Sequence, residues 1–270
     1  MVHAGDVAGA ANKAEDNPVL EGGARVGYAV SGVLHLLIAW IAIQVAWFSS
    51  GRSADQSGAL QTLSASGPGR LTLWVAVLGF AALAVWQLAS ALAMRTSGTT
   101  SASSQWADKA KGISKGAVYL ALAWTSLNFA KGRPSSSKSQ SADFTATLLQ
   151  QTGGRVLVSA VGLGIIGVGG YHVVKGWTKK FLQDLRKHPG AVATRAGMVG
   201  YIAKGVSLAL VGVLFLTAAL QNSANKATGL DGALHSLREQ AAGEWLLSAV
   251  ALGIAAYGVY SFARARYARV

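Results

Sequence analysis

The 270-residue chain has no cysteine. Disulfides, thiolate metal centres and a cysteine nucleophile are thereby excluded. Charge is scarce as well. Only 13% of the residues are Asp, Glu, Lys or Arg, against roughly 25% in soluble domains. Acids are the scarcer sign, 11 against 24 basic residues. Few of them fall in apolar stretches, so an intramembrane protease or hydrolase is not expected. Proline is rare too, 4 residues against 33 glycines. That balance suits closely packed helices rather than a disordered or collagen-like chain.

What is present is apolar sequence. Mean hydropathy is +0.37, and six stretches approach or reach the roughly 17–25 helical residues that cross a bilayer. They are Val26–Phe48, Leu71–Ala93, Gly112–Ala130, Val156–Val174, Met198–Leu220 and Trp245–Ala263. An open sheet would leave backbone groups unsatisfied in lipid, so each stretch is read as a helix. The expected class is an all-α integral membrane protein. Residues 1–24 contain Asp6, Glu15, Asp16 and Glu21 and no apolar core. They read as a polar tail, not a cleavable signal peptide, and the first span is expected to act as its own insertion signal.

The formal charge of +13 would suggest nucleic acid in a soluble protein. Here the basic residues sit at the ends of apolar runs, without a basic stripe or a recognition motif, so no nucleic-acid partner is expected. Sixteen of the 24 Lys and Arg fall in the N-terminal tail, the second and fourth connections, the C-terminus and the span ends beside them. The positive-inside rule then puts both termini in the cytoplasm.

The spans are not independent. Gly32, Gly116 and Gly205 stand near the starts of the odd spans, and Arg70, Arg155 and Glu244 follow after 38, 39 and 39 residues. RLTLWVAVLG, RVLVSAVGLG and EWLLSAVALG align without a gap and lead to Gly79, Gly164 and Gly253, then to Trp86, Tyr171 and Tyr260. Such periodicity marks an internal triplication. The link inside each unit repeats as well: GALQTL at Gly58–Leu63, DFTATL at Asp143–Leu148 and GALHSL at Gly232–Leu237. Leu60/Leu63 and Leu234/Leu237 share one face of a short helix. Asp55, Asp143 and Asp231 are candidate caps for these helices. Each unit is thus span, short outer helix, span, and the short helix is either interfacial or re-entrant. The expected parts are the tail (1–24), repeat 1 (25–94), repeat 2 (107–178), a basic interfacial connection (179–194), repeat 3 (195–264) and a basic C-terminal tail (265–270). A pseudo-three-fold arrangement of the six helices is the expected architecture.

GYIAKG at Gly200–Gly205 and GYAVSG at Gly27–Gly32, followed by GAL-x-(Thr/Ser)-Leu and an Arg…Gly…aromatic span, resemble domain-of-unknown-function family 1206. The resemblance covers about residues 24–267. It implies a bacterial, mainly actinobacterial, membrane protein with the unit present three times, and no activity. The second unit departs from the pattern, with KGISKG and DFTATL in place of the Gly-Tyr and GAL segments.

Candidate sites are few. GLGIIG at 162–167 has G-x-G-x-x-G spacing, but a dinucleotide fingerprint needs a preceding strand. Gly162, Gly164, Gly167, Gly169 and Gly170 are read as helix-packing positions. No metal, cofactor or catalytic spacing occurs among His3, His35, His172, His188 and His235, and no enzyme is expected. Polar groups inside spans are costly in lipid and so are functional candidates. They are Lys115, Lys204, His35, Gln44, Gln87, Asn128 and His172. Lys115, Lys204 and Ser31 each precede an anchor glycine. The lysines either snorkel to the cytoplasmic surface or converge with Ser31 on a central axis, where they would attract an anion or a lipid headgroup. In KGWTKKFLQDLRKH, Lys175–His188, Trp177, Phe181 and Leu185 share one helical face. An interfacial helix follows, with Lys175, Trp177, Lys179, Lys180 and Phe181 as contacts to anionic lipid. Trp47, Trp74, Trp106 and Trp245 fall at or near span ends, as in an aromatic belt. Two functions fit: a passive pore or transporter for a small solute or anion, or a non-catalytic accessory or scaffold subunit that binds anionic lipid or a larger membrane complex.

Overall fold

The computed structural model describes residues 17–48, 51–93 and 102–269. Most of the expected polar tail, with Lys13, and residues 94–101 of the second connection, with Arg95, lie outside the described residues. Among those described there are nine α-helices and no strand. Each repeat contributes a long, a short and a long helix. Repeat 1 supplies α1 (Pro18–Phe48), α2 (Gln56–Ser64) and α3 (Gly67–Ala93). Repeat 2 supplies α4 (Ala102–Ala130), α5 (Ser137–Leu149) and α6 (Gly154–Trp177). Repeat 3 supplies α7 (Ala191–Leu220), α8 (Gly229–Arg238) and α9 (Gly243–Tyr267).

Helix starts follow local chemistry. α1 begins well before the expected Val26 because Asn17 caps it: Val19 N–H donates to Asn17 Oδ1 at 2.9 Å. Pro18 takes the first helical position, where no amide hydrogen is required. Asp55 caps α2, accepting from Gly58 N–H at 3.1 Å and from the Ser57 hydroxyl at 2.6 Å. The other two candidate caps do not act so. α5 starts ahead of Asp143, with Ser136 as its cap. Asp231 lies inside the first turn of α8 and accepts instead from Ala54 N–H at 2.7 Å, tying the links of repeats 1 and 3 together.

Among the described residues five helices are long and apolar enough to cross a membrane: Pro18–Phe48, Gly67–Leu92, Gly154–Trp177, Ala191–Leu220 and Gly243–Tyr267. α4 has the length, 29 residues, but Lys115, Thr125, Ser126 and Asn128 dilute its apolar stretch.

The chain divides into two compact units, and the division passes through α1, α2 and α9. The first holds the described parts of 1–30, 63–133 and 264–270. In it α3 and α4 pack closely: a Cβ on Gly112 would stand 2.6 Å from Ala91 Cβ. Tyr119 packs on Phe80 and Tyr28, with ring centres 6.2 and 6.5 Å apart. The Arg264 guanidinium lies 4.1 Å over the Tyr28 ring.

The second unit holds 31–62 and 134–263. Its apolar core gathers Val158, Val211, Phe215 and Ala218 with Ala227 and Ala233 from the third link. α6 and α7 approach backbone to backbone. A Cβ on Gly205 would stand 2.5 Å from the Gly169 carbonyl oxygen, and one on Gly212 2.6 Å from that of Gly162, so neither position can carry a side chain without parting the helices. Of the five glycines expected to pack, Gly162 and Gly169 do. Gly164, Gly167 and Gly170 face open space.

The expected interfacial helix over Lys175–His188 is broken. α6 ends at Trp177, Lys179 takes a left-handed φ of 56°, and Lys180–Asp184 forms a 3-10 turn. The reason is a better partner than lipid. Phe181 is fully buried between Tyr201 and Tyr260, with ring centres 5.3 and 5.0 Å away. Gly197 leaves the space it fills, since a Cβ there would stand 2.5 Å from the Phe181 ring. The Lys175 ammonium pairs with Asp184 at 2.6 Å. Phe181 and Lys175 are therefore protein contacts rather than the expected lipid contacts. Trp177, Lys179 and Lys180 are exposed.

Candidate solute site

The second unit contains a cavity of about 110 Å³ lined by residues of four helices. His35 and Ile38 come from α1, and Lys204, Ser207, Leu208 and Val211 from α7. Ile254 and Tyr257 come from α9, and Leu230 from the link helix α8. Bare backbone sets the spacing of these helices. A Cβ on Gly32 would stand 3.0 Å from the Gly258 carbonyl oxygen, and one on Gly200 2.5 Å from Tyr257 Cα. Small residues therefore draw α1 and α7 against α9.

The polar groups converge on one ring. The Lys204 ammonium lies 4.4 Å from the centre of the Tyr257 ring, a cation–π contact. His35 leans on the same ring, with centres 4.7 Å apart. Its Nδ1 lies 2.7 Å from the Ser31 carbonyl oxygen. Assigning the hydrogen to Nδ1 makes that nitrogen the donor and leaves Nε2 as the basic atom of the neutral ring. The Ser207 hydroxyl donates to the Ala203 carbonyl at 2.9 Å, which leaves its oxygen lone pairs as acceptors. Among the described residues no acid lines the cavity.

The other sequence candidates are not among the lining residues. Ser31 lies in this unit and contributes its carbonyl to His35. Lys115 is exposed on α4 in the first unit, and Gln87 is buried there on α3. Asn128 is half-buried near the end of α4, and Gln44 is half-buried on α1. His172 bonds the Val168 carbonyl through Nδ1 at 2.8 Å and stacks on Tyr201 at 5.7 Å. It belongs to the Phe181–Tyr201–Tyr260 cluster, where the Tyr260 hydroxyl donates to the Phe181 carbonyl at 3.2 Å.

Tyr257 and Leu230 are among the lining residues that were not sequence candidates. For Tyr257 a signal existed. It stands four residues after Gly253, where the other repeats have Leu83 and Val168. A ring at an otherwise aliphatic register position marks a departure from the common pattern. Leu230 carried none, because the depth reached by the link helix is a tertiary property.

The profile of the Domain of Unknown Function (DUF1206) family matches three times, over residues 26–93, 110–179 and 199–268. The chain belongs to this family. The three matches coincide with the three long–short–long helix units, so DUF1206 membership and the internal triplication are one fact. The chain is also similar to the uncharacterized protein YxxB of Bacillus subtilis (strain 168), with 28% identity over 260 residues that cover 94% of each chain. No solved structure matches it. The DUF1206 chain is a multi-spanning membrane protein, and its chemistry has to be argued from its own residues.

Proposed function

We propose that this protein is a transporter for a small solute, with the cavity of the second unit as its binding site. One observation carries the reading: the Lys204 ammonium lines a cavity between long apolar helices, and no carboxylate lines it among the described residues. A cation kept among apolar helices is costly unless it is used, and a ring face offsets only part of that cost.

The rest of the architecture follows in the same proposal. α4 is the sixth span, with Lys115 near its cytoplasmic end. The three repeats stand around a pseudo-three-fold axis. Support comes from one register position that recurs at every repeat boundary. Gly116 faces Ala84 of the preceding repeat, Gly205 faces Gly169, and Gly32 faces Gly258, which returns repeat 3 to repeat 1. Both termini lie on the cytoplasmic side of a bacterial inner membrane, as the excess of Lys and Arg there supports. Exposed Trp177, Lys179 and Lys180 meet anionic headgroups at that face. The function requires no catalytic residue.

Flux into vesicles reconstituted with the full chain tests the reading. Labelled small anions should enter several-fold faster than into protein-free vesicles, and Lys204→Gln should remove most of the difference. Rates equal to those of protein-free vesicles for every solute would reject transport and leave an accessory or scaffold subunit.

A further inference from the structure

The cavity also carries information about what it takes. Resting on the transport reading, we infer that its ligand is a short-chain monocarboxylate, held by its carboxylate on Lys204 and by its alkyl end on the aliphatic wall.

The charge of the ligand follows from the lining. Among the described residues of the lining Lys204 is the one fixed cation, and none is an acid. An ammonium has three donors and no acceptor, so a carboxylate can accept one of its hydrogens while the cation keeps its 4.4 Å contact with Tyr257. A phosphate or another multiply charged anion would need several such donors, commonly from arginine, and no arginine lines the cavity.

The body of the ligand follows from the remaining wall. Ile38, Val211, Leu230 and Ile254 present hydrocarbon. A halide would be stripped of water against these side chains without any return. An alkyl chain gains from the same surface, about fourfold in affinity for each buried CH2. The size is bounded as well. About 110 Å³ is somewhat less than the roughly 150 Å³ of an engineered apolar cavity that admits benzene. The ligand therefore has a handful of non-hydrogen atoms, as butyrate does.

The assignment is tested by direct binding, separately from flux. Purified full-length protein in detergent is titrated with acetate, propionate and butyrate by calorimetry. Affinity should rise along the series. Lys204→Gln should weaken butyrate at least about tenfold, the loss of a charge-assisted bond, whereas Lys204→Arg should stay within a few-fold. Leu230→Trp, which fills the cavity from the link helix without touching the cation, should also exclude butyrate. Thermal unfolding of each variant separates lost binding from lost folding. Butyramide binding as tightly as butyrate would overturn the anion assignment. Chloride competing as well as butyrate, or affinity that is flat along the series, would overturn the alkyl assignment. Flux without butyrate binding would reject this ligand and keep transport. Butyrate binding without flux would keep the ligand and reject transport.

Discussion

Lys115 and Lys204 hold the same register position, one residue ahead of Gly116 and Gly205, and they end in different chemistry. Lys115 is exposed on α4. Lys204 is half-buried over an aromatic ring that a histidine also touches. The glycines beside them behave alike, each holding its helix against the even-span helix of the preceding repeat. Triplication thus copied the backbone contact, which needs only absent side chains. The cavity lining also uses positions that differ between the repeats: Tyr257 where repeats 1 and 2 have Leu83 and Val168, and His35 where repeats 2 and 3 have Tyr119 and Leu208. Shared positions build the scaffold and supply Lys204, and positions that break the repeat supply its surroundings, Tyr257 and His35.

If that division holds, the largest effect belongs to a shared glycine. Gly205→Leu places its side chain into the Gly169 carbonyl and should destabilise the protein by about 3 kcal/mol or more. Gly164→Leu is the counter-case on the helix opposite. It meets open space and replaces a poor helix former, so it should be neutral or slightly stabilising. Thermal unfolding in detergent reads both. Equal losses would mean that the face carrying Gly164 is packed after all.

A middling effect separates two acids of the links. Asp231 is 6% exposed and accepts the Ala54 amide hydrogen. Asp143, the neighbouring register position in repeat 2, is exposed inside α5. Removing Asp231 as Ala strands a buried amide and should cost about 2–3 kcal/mol. Asp143→Ala should change stability by less than about 0.5 kcal/mol. Denaturation midpoints of the two variants decide. A small loss for Asp231→Ala would mean that the two links are not held by this bond.

These contrasts also mark what was legible beforehand. Glycine register, helix periodicity and the three-fold repetition are local or periodic signals, and they give the helical units directly. Lys204 and His35 stood out because polarity inside apolar sequence is visible residue by residue. Their meeting on Tyr257 was not visible, because it joins three helices far apart in the chain. Phe181 misled for the same reason. Its i, i+4, i+8 companions Trp177 and Leu185 suggested a lipid-facing helix. The space at Gly197 and the Lys175–Asp184 pair, both set by tertiary packing, fold that segment back onto the protein instead.

The smallest expected effect sharpens the opening contrast most. Lys115→Gln removes a cation that is exposed on its helix, so any pairing there is screened and contributes at most about 0.5–1 kcal/mol. Stability should hardly move, and butyrate affinity should change less than about twofold, against the tenfold expected at Lys204. Charge alone cannot produce that difference, since both variants remove one ammonium from the same register position. Only the surroundings can, namely the Tyr257 ring, His35 and the aliphatic wall. Combining the two variants should then weaken butyrate no more than Lys204→Gln alone, because independent sites add and an uninvolved site adds nothing. A loss at Lys115 as large as that at Lys204, with strong coupling between them, would instead support the shared site expected from the sequence, at which Ser31, Lys115 and Lys204 meet. It would put the chemistry on the repeated positions rather than on the departures from them.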